Sequence, residues 1–479
     1  MKIHFDPKDF LKAFKIAASV VNPKDKPILQ NVKVVVDKKQ GAVLHAVSLT
    51  PEMTGIRIRV DVDVAESGSV LLPAKQFIDI LKNAQDERLV LQHSKEVLHQ
   101  AVRLEIDGEY SECPEHYELD TESPDEFPDI AEFTAESFVE IDNDRLIEAI
   151  KHTVFINDTK ANISAHTGVC LENDGDYCAV IATDGRRLAW QDTYAYCTNN
   201  HFFGWQTVNS ENEKKWRYPI VPVKTLKLLT KALKEESIIN SNYVKTAFGT
   251  HGDVPEKTHV TFHCGDVTIH SQLVAGYLSR WRDIVPKESR MHDAGQYKAG
   301  ELLALIKSVT NSLGNYEPFI EFAFDGEVLT LTSGNGKEIK ETTTTPVSTA
   351  GQMKIRFNPK YITDVLKALD KPTELSLYLP DTYDPAMFRN SDGYTYVVMP
   401  LADSVEADVI PEAAAERKRR QEEIERKYPT MEQERRQRES ESNAKGATES
   451  ATQTEPAPDA TTDDTPSDTI RQQLFTFTE

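Results

Sequence analysis

Three stretches of the chain repeat one arrangement of apolar and polar positions: an apolar strand, a proline, then a helix with leucine or isoleucine on one side and lysine on the other. They are VLLPAKQFIDILKNA (70–84), IVPVKTLKLLTKALK (220–234) and IRFNPKYITDVLKAL (355–369). In the second, Lys224, Lys227, Lys231 and Lys234 recur at steps of three and four, which is one helix face, and Leu226, Leu229 and Leu233 fall on the other. Pro222 stands just before the helix, where a fixed φ and a missing N–H cost least, and Ile220 and Val221 read as the end of a strand. In the third copy Ile362, Val365, Leu366 and Leu369 slip by one position relative to the proline, so the match is of pattern rather than identity. Pro73, Pro222 and Pro359 lie 149 and 137 residues apart, a domain-sized period.

Each copy has an earlier helical stretch: FDPKDFLKAFKIAASVV near the start, IDNDRLIEAIKHTVF at 141–155 and YKAGELLALIKSVTNSL at 297–313. Between the helices lie alternating runs such as NVKVVV, IRIRVDVDV, HVTFHCGDVTIH and VLTLTS, joined by Asp-Gly and Gly-rich turns that suit antiparallel hairpins. The predicted unit is a sheet carrying two helices, an α+β arrangement with more strand than helix, repeated over residues 1–133, 134–289 and 290–401. Two stretches, 196–219 and 241–257, read as elaborated loops.

Lysine recurs on all three second helices: Lys75 and Lys82, then the four already named, then Lys360, Lys367 and Lys371. One such helix is an ordinary solvated face, but three point to a shared basic side. That matters because the chain is acidic, with 77 Asp and Glu against 55 Lys and Arg and a formal net charge of -22. Nonspecific polyanion binding by the whole surface is therefore excluded, and a phosphate backbone would need a segregated basic face.

The five cysteines are widely spaced and contain no C-x-x-C, which argues against a disulfide framework or a zinc site and fits a reducing cytoplasm. No apolar run is long enough for a membrane span. Catalytic signatures are missing too: SGNGKE at 333–338 is too short for a phosphate-binding loop, and no G-x-S-x-G or H-E-x-x-H occurs. His259 and His263 share a strand face without further ligands at metal spacing. No enzyme activity, cofactor or metal is expected.

PILQNVKVVV (27–36), LLPAKQFIDIL (71–81), EFPDI (126–130), ATDGRRLAW (182–190), SQLVAGYLSRWRDIVPK (271–287), FNPKYITDVLKAL (357–369) and YVVMPL (396–401) together resemble the bacterial DNA polymerase III beta subunit family, the sliding clamps, over roughly residues 1–401. The resemblance implies three clamp domains per chain and a head-to-tail homodimeric ring, with helices lining the hole and sheets outside. It implies a DNA sliding clamp in the cytoplasm that confers processivity on the replicative polymerase. The implied partners are double-stranded DNA, a second copy of the chain, the DNA polymerase III alpha subunit, a clamp loader and other clamp-binding replication and repair proteins. Duplex DNA would meet Lys75, Lys82, Lys160, Lys224, Lys227, Lys231, Lys360 and Lys367. A clamp-fold scaffold that does not encircle DNA is the alternative, separable by solution mass and by retention on circular against linear DNA.

Taken alone, Thr183-Asp184-Gly185-Arg186-Arg187-Leu188 reads as an Asp-Gly turn with two exposed arginines. The resemblance instead makes Thr183, Gly185, Arg186, Arg187 and Leu188 one wall of a partner-peptide pocket, with Ile284, Val397, Met399, Pro400 and Leu401 opposite and Tyr383 nearby. His166 and Ser279 depart from the family, standing where an apolar residue and a proline are usual. Beyond Leu401 the chain continues for 78 residues: a charged stretch over 402–442 with helical pattern at 411–427, then an acidic, low-apolar segment that predicts disorder. That segment closes on Gln473, Leu474, Phe475 and Phe477, which resemble the short peptides that bind the family's pocket, with Thr476 where leucine is usual.

Overall fold

In a computed structural model the described residues are 1–401 except 50–52, 84–88, 94–100, 107–115, 158–163, 174–176, 199–202, 209–213, 251–256, 277, 279–280, 287–290, 311–318, 326–327, 335–337, 343–352 and 380–384. Among the described residues six α-helices form, two for each sequence repeat: α1 (Pro7–Ala18), α2 (Ala74–Asn83), α3 (Asn143–Thr153), α4 (Val223–Leu233), α5 (Ala299–Thr310) and α6 (Pro359–Ala368). Their starts follow local chemistry. Asp6 and Asn358 cap α1 and α6 by accepting from the N–H two residues on, with proline at the next position, and Asp142 caps α3 through the N–H of Arg145.

The helices pack as pairs, α1 on α2, α3 on α4 and α5 on α6, and the pairs join through α1 on α4 and α3 on α6. The result is one row in the order α2, α1, α4, α3, α6, α5. Behind it an antiparallel sheet of 16 strands runs through all three repeats. Two of its pairings cross between repeats: Val267–Gln272 with Thr54–Val60, and Arg187–Cys197 with Tyr394–Val398. A five-stranded sheet completes the first repeat and a four-stranded sheet the third. The main core, including Phe10, Phe14, Phe77, Leu226, Leu229, Ile306 and Leu366, lies between helices and sheets.

The other face of the long sheet is crossed by the two inter-repeat connectors. In the first, Phe127 and Ile130 pack with Leu29, Val47 and Leu71. Asp129 accepts from Lys33 Nζ at 2.7 Å, Glu132 pairs with Arg57 at 2.5 Å, and Phe133 stacks on His263 at 5.0 Å. In the second, Trp281 lies 5.0 Å from Trp190 and donates through Nε1 to the buried carboxylate of Glu172 at 2.8 Å, which also pairs with Arg282.

The α+β expectation matches this architecture. Two local readings do not. The stretch 196–219 contains a hairpin, Trp205–Val208 with Lys214–Arg217. The stretch 241–257 supplies a central strand, Tyr243–Thr250, paired on both sides with Val139–Asp142 and Lys257–Cys264. Val244, Thr246 and Phe248 are buried there, an alternation diluted by polar residues and glycine in the sequence.

Candidate functional site

The helix row turns its lysines away from the core. In α4, Thr225, Leu226, Leu228, Leu229, Ala232 and Leu233 are buried and Lys224, Lys227 and Lys231 are exposed. Lys75, Lys82, Lys360 and Lys367 are likewise exposed, whereas Lys160 lies outside the described residues. Sequence reasoning missed the contribution of α1, whose Lys8 and Lys12 are exposed and whose Lys15 is half-buried. The signal was present in the same three- and four-residue lysine spacing. Together the six helices carry thirteen Lys and Arg against six Asp and Glu, the reverse of the balance in the whole chain.

Where α1 meets α4, Lys231 Nζ donates to the carbonyl of Lys15 at 3.1 Å, and burial together with the Lys15 charge lowers the pKa of Lys231. Lys12 pairs with Glu235 at 3.4 Å across the same junction, and Lys151 pairs with Asp370 at 2.7 Å where α3 meets α6. These pairs are largely solvent-exposed and each contributes little to stability.

The second constellation forms at the sheet seam between the second and third repeats. Leu188 stands directly opposite Val397, Arg187 opposite Val398, and the Met399 N–H donates to Arg186 O at 2.9 Å. Residues about 210 positions apart thus share one edge. Thr183 Oγ1 donates to Arg187 O at 2.8 Å and accepts from the Gly185 N–H, closing the turn. Gly185 has φ +82°, and a Cβ there would come within 3.2 Å of His166 Cε1, so the departure at His166 sits against this turn. Leu401 is fixed by its N–H donating to Arg356 O at 2.8 Å.

Leu188 and Val397 are buried in a cluster with Trp190, Trp281, Ile181 and Met387, against which Val285 packs. They form a floor rather than an open wall. The accessible residues next to this floor along the chain are Ile284, 50% exposed and adjacent to Val285, the exposed Gly185 and Arg186 of the turn, and the half-buried Met399, Pro400 and Leu401 that follow Val397, a rim joined in part by the Met399 bond to Arg186. Tyr383, Ser279 and all of residues 402–479, including the charged stretch with helical pattern at 411–427, the segment expected to be disordered and Gln473 to Phe477, lie outside the described residues.

The local reading of two exposed arginines is corrected. Arg186 is exposed, but the Arg187 side chain is only 6% exposed. Its Nε donates to Asp184 Oδ2 at 2.9 Å, its Nη1 donates to Asp364 Oδ2 of α6 at 3.0 Å, and its guanidinium lies 4.5 Å from the Tyr361 ring. Burial opposes its charge, and Tyr396, Asp184 and Asp364 outweigh that and raise its pKa. Arg187 is a staple between the long sheet and α6. Nearby, His152 Nδ1 lies 3.1 Å from Gln191 Oε1, and Gln191 Nε2 donates to Asp392 O at 2.6 Å, a second buried tie across the seam. Burial, offset in part by Gln191, lowers the His152 pKa.

Among the described residues no group of His, Cys, Asp and Glu is arranged to hold a metal, and no helix is long and apolar enough to cross a membrane. His263 faces Thr268 Oγ1 at 3.0 Å and His259 lies 3.2 Å from Thr258 Oγ1, ordinary strand contacts.

Residues 1–131 match the family described as DNA polymerase III beta subunit, N-terminal domain, and residues 140–279 match its central domain, together more than half of the chain. Among curated relatives, the beta sliding clamp of Chlamydia muridarum is 22% identical over 383 residues, covering 80% of this chain and 93% of that protein. The beta sliding clamp of Haemophilus influenzae is 23% identical over 395 residues, covering 78% and 96%. A crystal structure of the DNA polymerase sliding clamp from Pseudomonas aeruginosa superposes with a TM-score of 0.68 at 23% identity, covering 84% of this chain and 99% of the other.

Proposed function

The chain belongs to the DNA polymerase III beta subunit family, non-catalytic processivity factors, and from that premise we infer that it is a DNA sliding clamp that closes around duplex DNA as a head-to-tail homodimer. The observation that carries this reading is the single row of six helices, basic on its open side, backed by a sheet continuous through all three repeats. Repeats spanning 1–133, 134–289 and 290–401 would give six domains to the ring. Edge strands support the closure: the five-stranded sheet ends in His116–Asp120 and the four-stranded sheet in Glu338–Thr342, both available for antiparallel pairing with a second copy.

In this reading Lys75, Lys82, Lys160, Lys224, Lys227, Lys231, Lys360 and Lys367 face the phosphate backbone, with α1 adding Lys8, Lys12 and Lys15. Contacts of this kind carry no base readout and exchange readily, so the ring is held by its topology and remains free to slide. The rim formed by Arg186, Ile284, Met399, Pro400 and Leu401 over the Leu188–Val397 floor takes short peptides from the polymerase alpha subunit, the clamp loader and other replication and repair proteins in the cytoplasm. Methionine and proline there give an adaptable apolar surface, which suits one site shared among several ligands.

The test combines mass and topology. The clamp sediments as a dimer at micromolar concentration. Once loaded by its ATP-driven loader, it stays on nicked circular DNA and is lost within minutes after linearisation. A persistent monomer, or equal retention on both forms, would favour the scaffold that does not encircle DNA.

A further inference from the structure

The rim beside Arg186 leaves unusual apolar surface in water. Ile284 is the only non-tyrosine among the exposed large hydrophobic residues of the described chain; its neighbour Val285 packs on the cluster that holds Leu188 and Val397, and the half-buried Met399, Pro400 and Leu401 continue the chain just past Val397. Leu401 is also where the described chain leaves the fold, pinned to Arg356. Seventy residues further on comes a segment of opposite character to everything between. Residues 443–470 contain six acids, one lysine and no aromatic side chain, whereas Leu474, Phe475 and Phe477 crowd three large apolar groups into four positions. A stretch so poor in apolar residues cannot build a core around that cluster, which leaves its apolar side chains to find a partner surface elsewhere.

Resting on the reading of the rim as a peptide-docking surface, we propose that residues 472–477 dock in the rim of their own protomer and compete with partner peptides. The chemistry is complementary. In extended form Phe475 and Phe477 project to one side, and aromatic rings on a Met- and Ile-lined rim make good contacts. The charges around the docked residues are Asp468 and Arg471 before them and Glu479 after them, and of these Glu479 is suited to the exposed cation of Arg186. Reach is sufficient: a connecting segment of about 70 residues has a root-mean-square span of about 45 Å and sets an effective concentration on the order of a millimolar. A peptide that binds at about 100 μM when free would then be docked about nine-tenths of the time and would weaken a competitor about tenfold.

The probe is a fluorescein-labelled peptide with the sequence RQQLFTFTE, titrated by anisotropy with the full chain and with the full chain carrying Leu474→Ser, Phe475→Ser and Phe477→Ser together. The expected result is binding about tenfold tighter to the variant at every protein concentration, because a tethered competitor is insensitive to dilution. Adding Ile284→Glu to the variant abolishes that binding. Equal affinities for the two proteins overturn the proposal, as does tight binding that survives Ile284→Glu, or a difference that disappears on dilution. A labelled clamp-binding peptide from the cognate polymerase alpha subunit, run in parallel, separates the two levels of failure. If it binds and the RQQLFTFTE peptide does not, self-docking alone falls; if neither binds, the docking surface falls with it.

Discussion

Replacing Arg187 with methionine should unfasten the seam between the second and third repeats without touching its exposed rim. The side chain is 6% exposed and holds two carboxylates, at 2.9 and 3.0 Å, whose own side chains are 12% and 22% exposed. Breaking a buried ion pair from one side costs about 3–5 kcal/mol, because the partner charge is left without compensation. Here the low end applies, about 3 kcal/mol: Asp184 keeps the Arg186 and Arg187 N–H donors, and Asp364 retains contact with water. Combining Arg187→Met with Asp364→Asn removes the stranded charge, so the double variant should be more stable than the sum of the single losses by about 1–2 kcal/mol. Urea unfolding followed by tryptophan fluorescence is suited to the question, since Trp190 and Trp281 pack in the cluster beneath this seam. A single-variant loss below about 1 kcal/mol, or strict additivity in the cycle, would show that Arg187 is no staple.

Two further outcomes are expected. Lys224→Glu, Lys227→Glu and Lys231→Glu together should shorten retention on nicked circular DNA and lower the slope of log affinity against log salt by up to about three, at roughly 0.9 per lost phosphate contact, while leaving peptide anisotropy unchanged; an unaltered slope would make these lysines a merely solvated face. Acid should loosen the first connector, whose Ile130 N–H donates to His45 Nδ1 at 3.3 Å and whose Ala131 carbonyl lies 3.2 Å from His270 Nε2, because burial holds both histidines down to about 4 in the fold. The unfolded chain takes up these protons first, so stability is full above about pH 6.5 and is lost toward pH 4, by about 3 kcal/mol per histidine at the limit; a flat urea midpoint between pH 6.5 and 5 would refute this.

How much of this was legible in the sequence depends on the distance over which each signal acts. The helices were legible because capping residues, prolines and a 3.6-residue period all act within one or two turns. The Leu188 and Met399 edges could be joined only through family resemblance, since cross-strand register between residues about 210 apart leaves no local trace. Arg187 was misread for the same reason: its turn predicts exposure, and Asp364, which buries it, is 177 residues away. The connectors look like ordinary loops because their hold on the sheet is a series of single contacts without period. Asp129 on Lys33, Glu132 on Arg57 and Phe133 on His263 are examples.

The charge distribution explains why an acidic protein suits a nucleic-acid ring. The six helices carry seven excess positive charges, while residues 1–401 as a whole have a net charge of -14, so the rest of that span carries an excess of twenty-one negative ones. In the proposed ring, a duplex approaching the sheet side would meet net repulsion and one approaching the helix side would be attracted, so electrostatics would select the productive orientation more than it supplies affinity. Strengthening the helix face would work against this division. Each added phosphate contact multiplies the salt-sensitive affinity and with it the barrier to moving along the duplex, whereas a closed ring gains nothing further in retention once dissociation requires opening. Several helix cations are in fact partly neutralised in the fold: Lys82 by Asp79 at 3.1 Å, Lys12 by Glu235 and Lys151 by Asp370. Replacing Asp79 with asparagine should therefore raise affinity for duplex DNA at low salt and slow one-dimensional diffusion along it, without lengthening the lifetime of the closed ring on circular DNA.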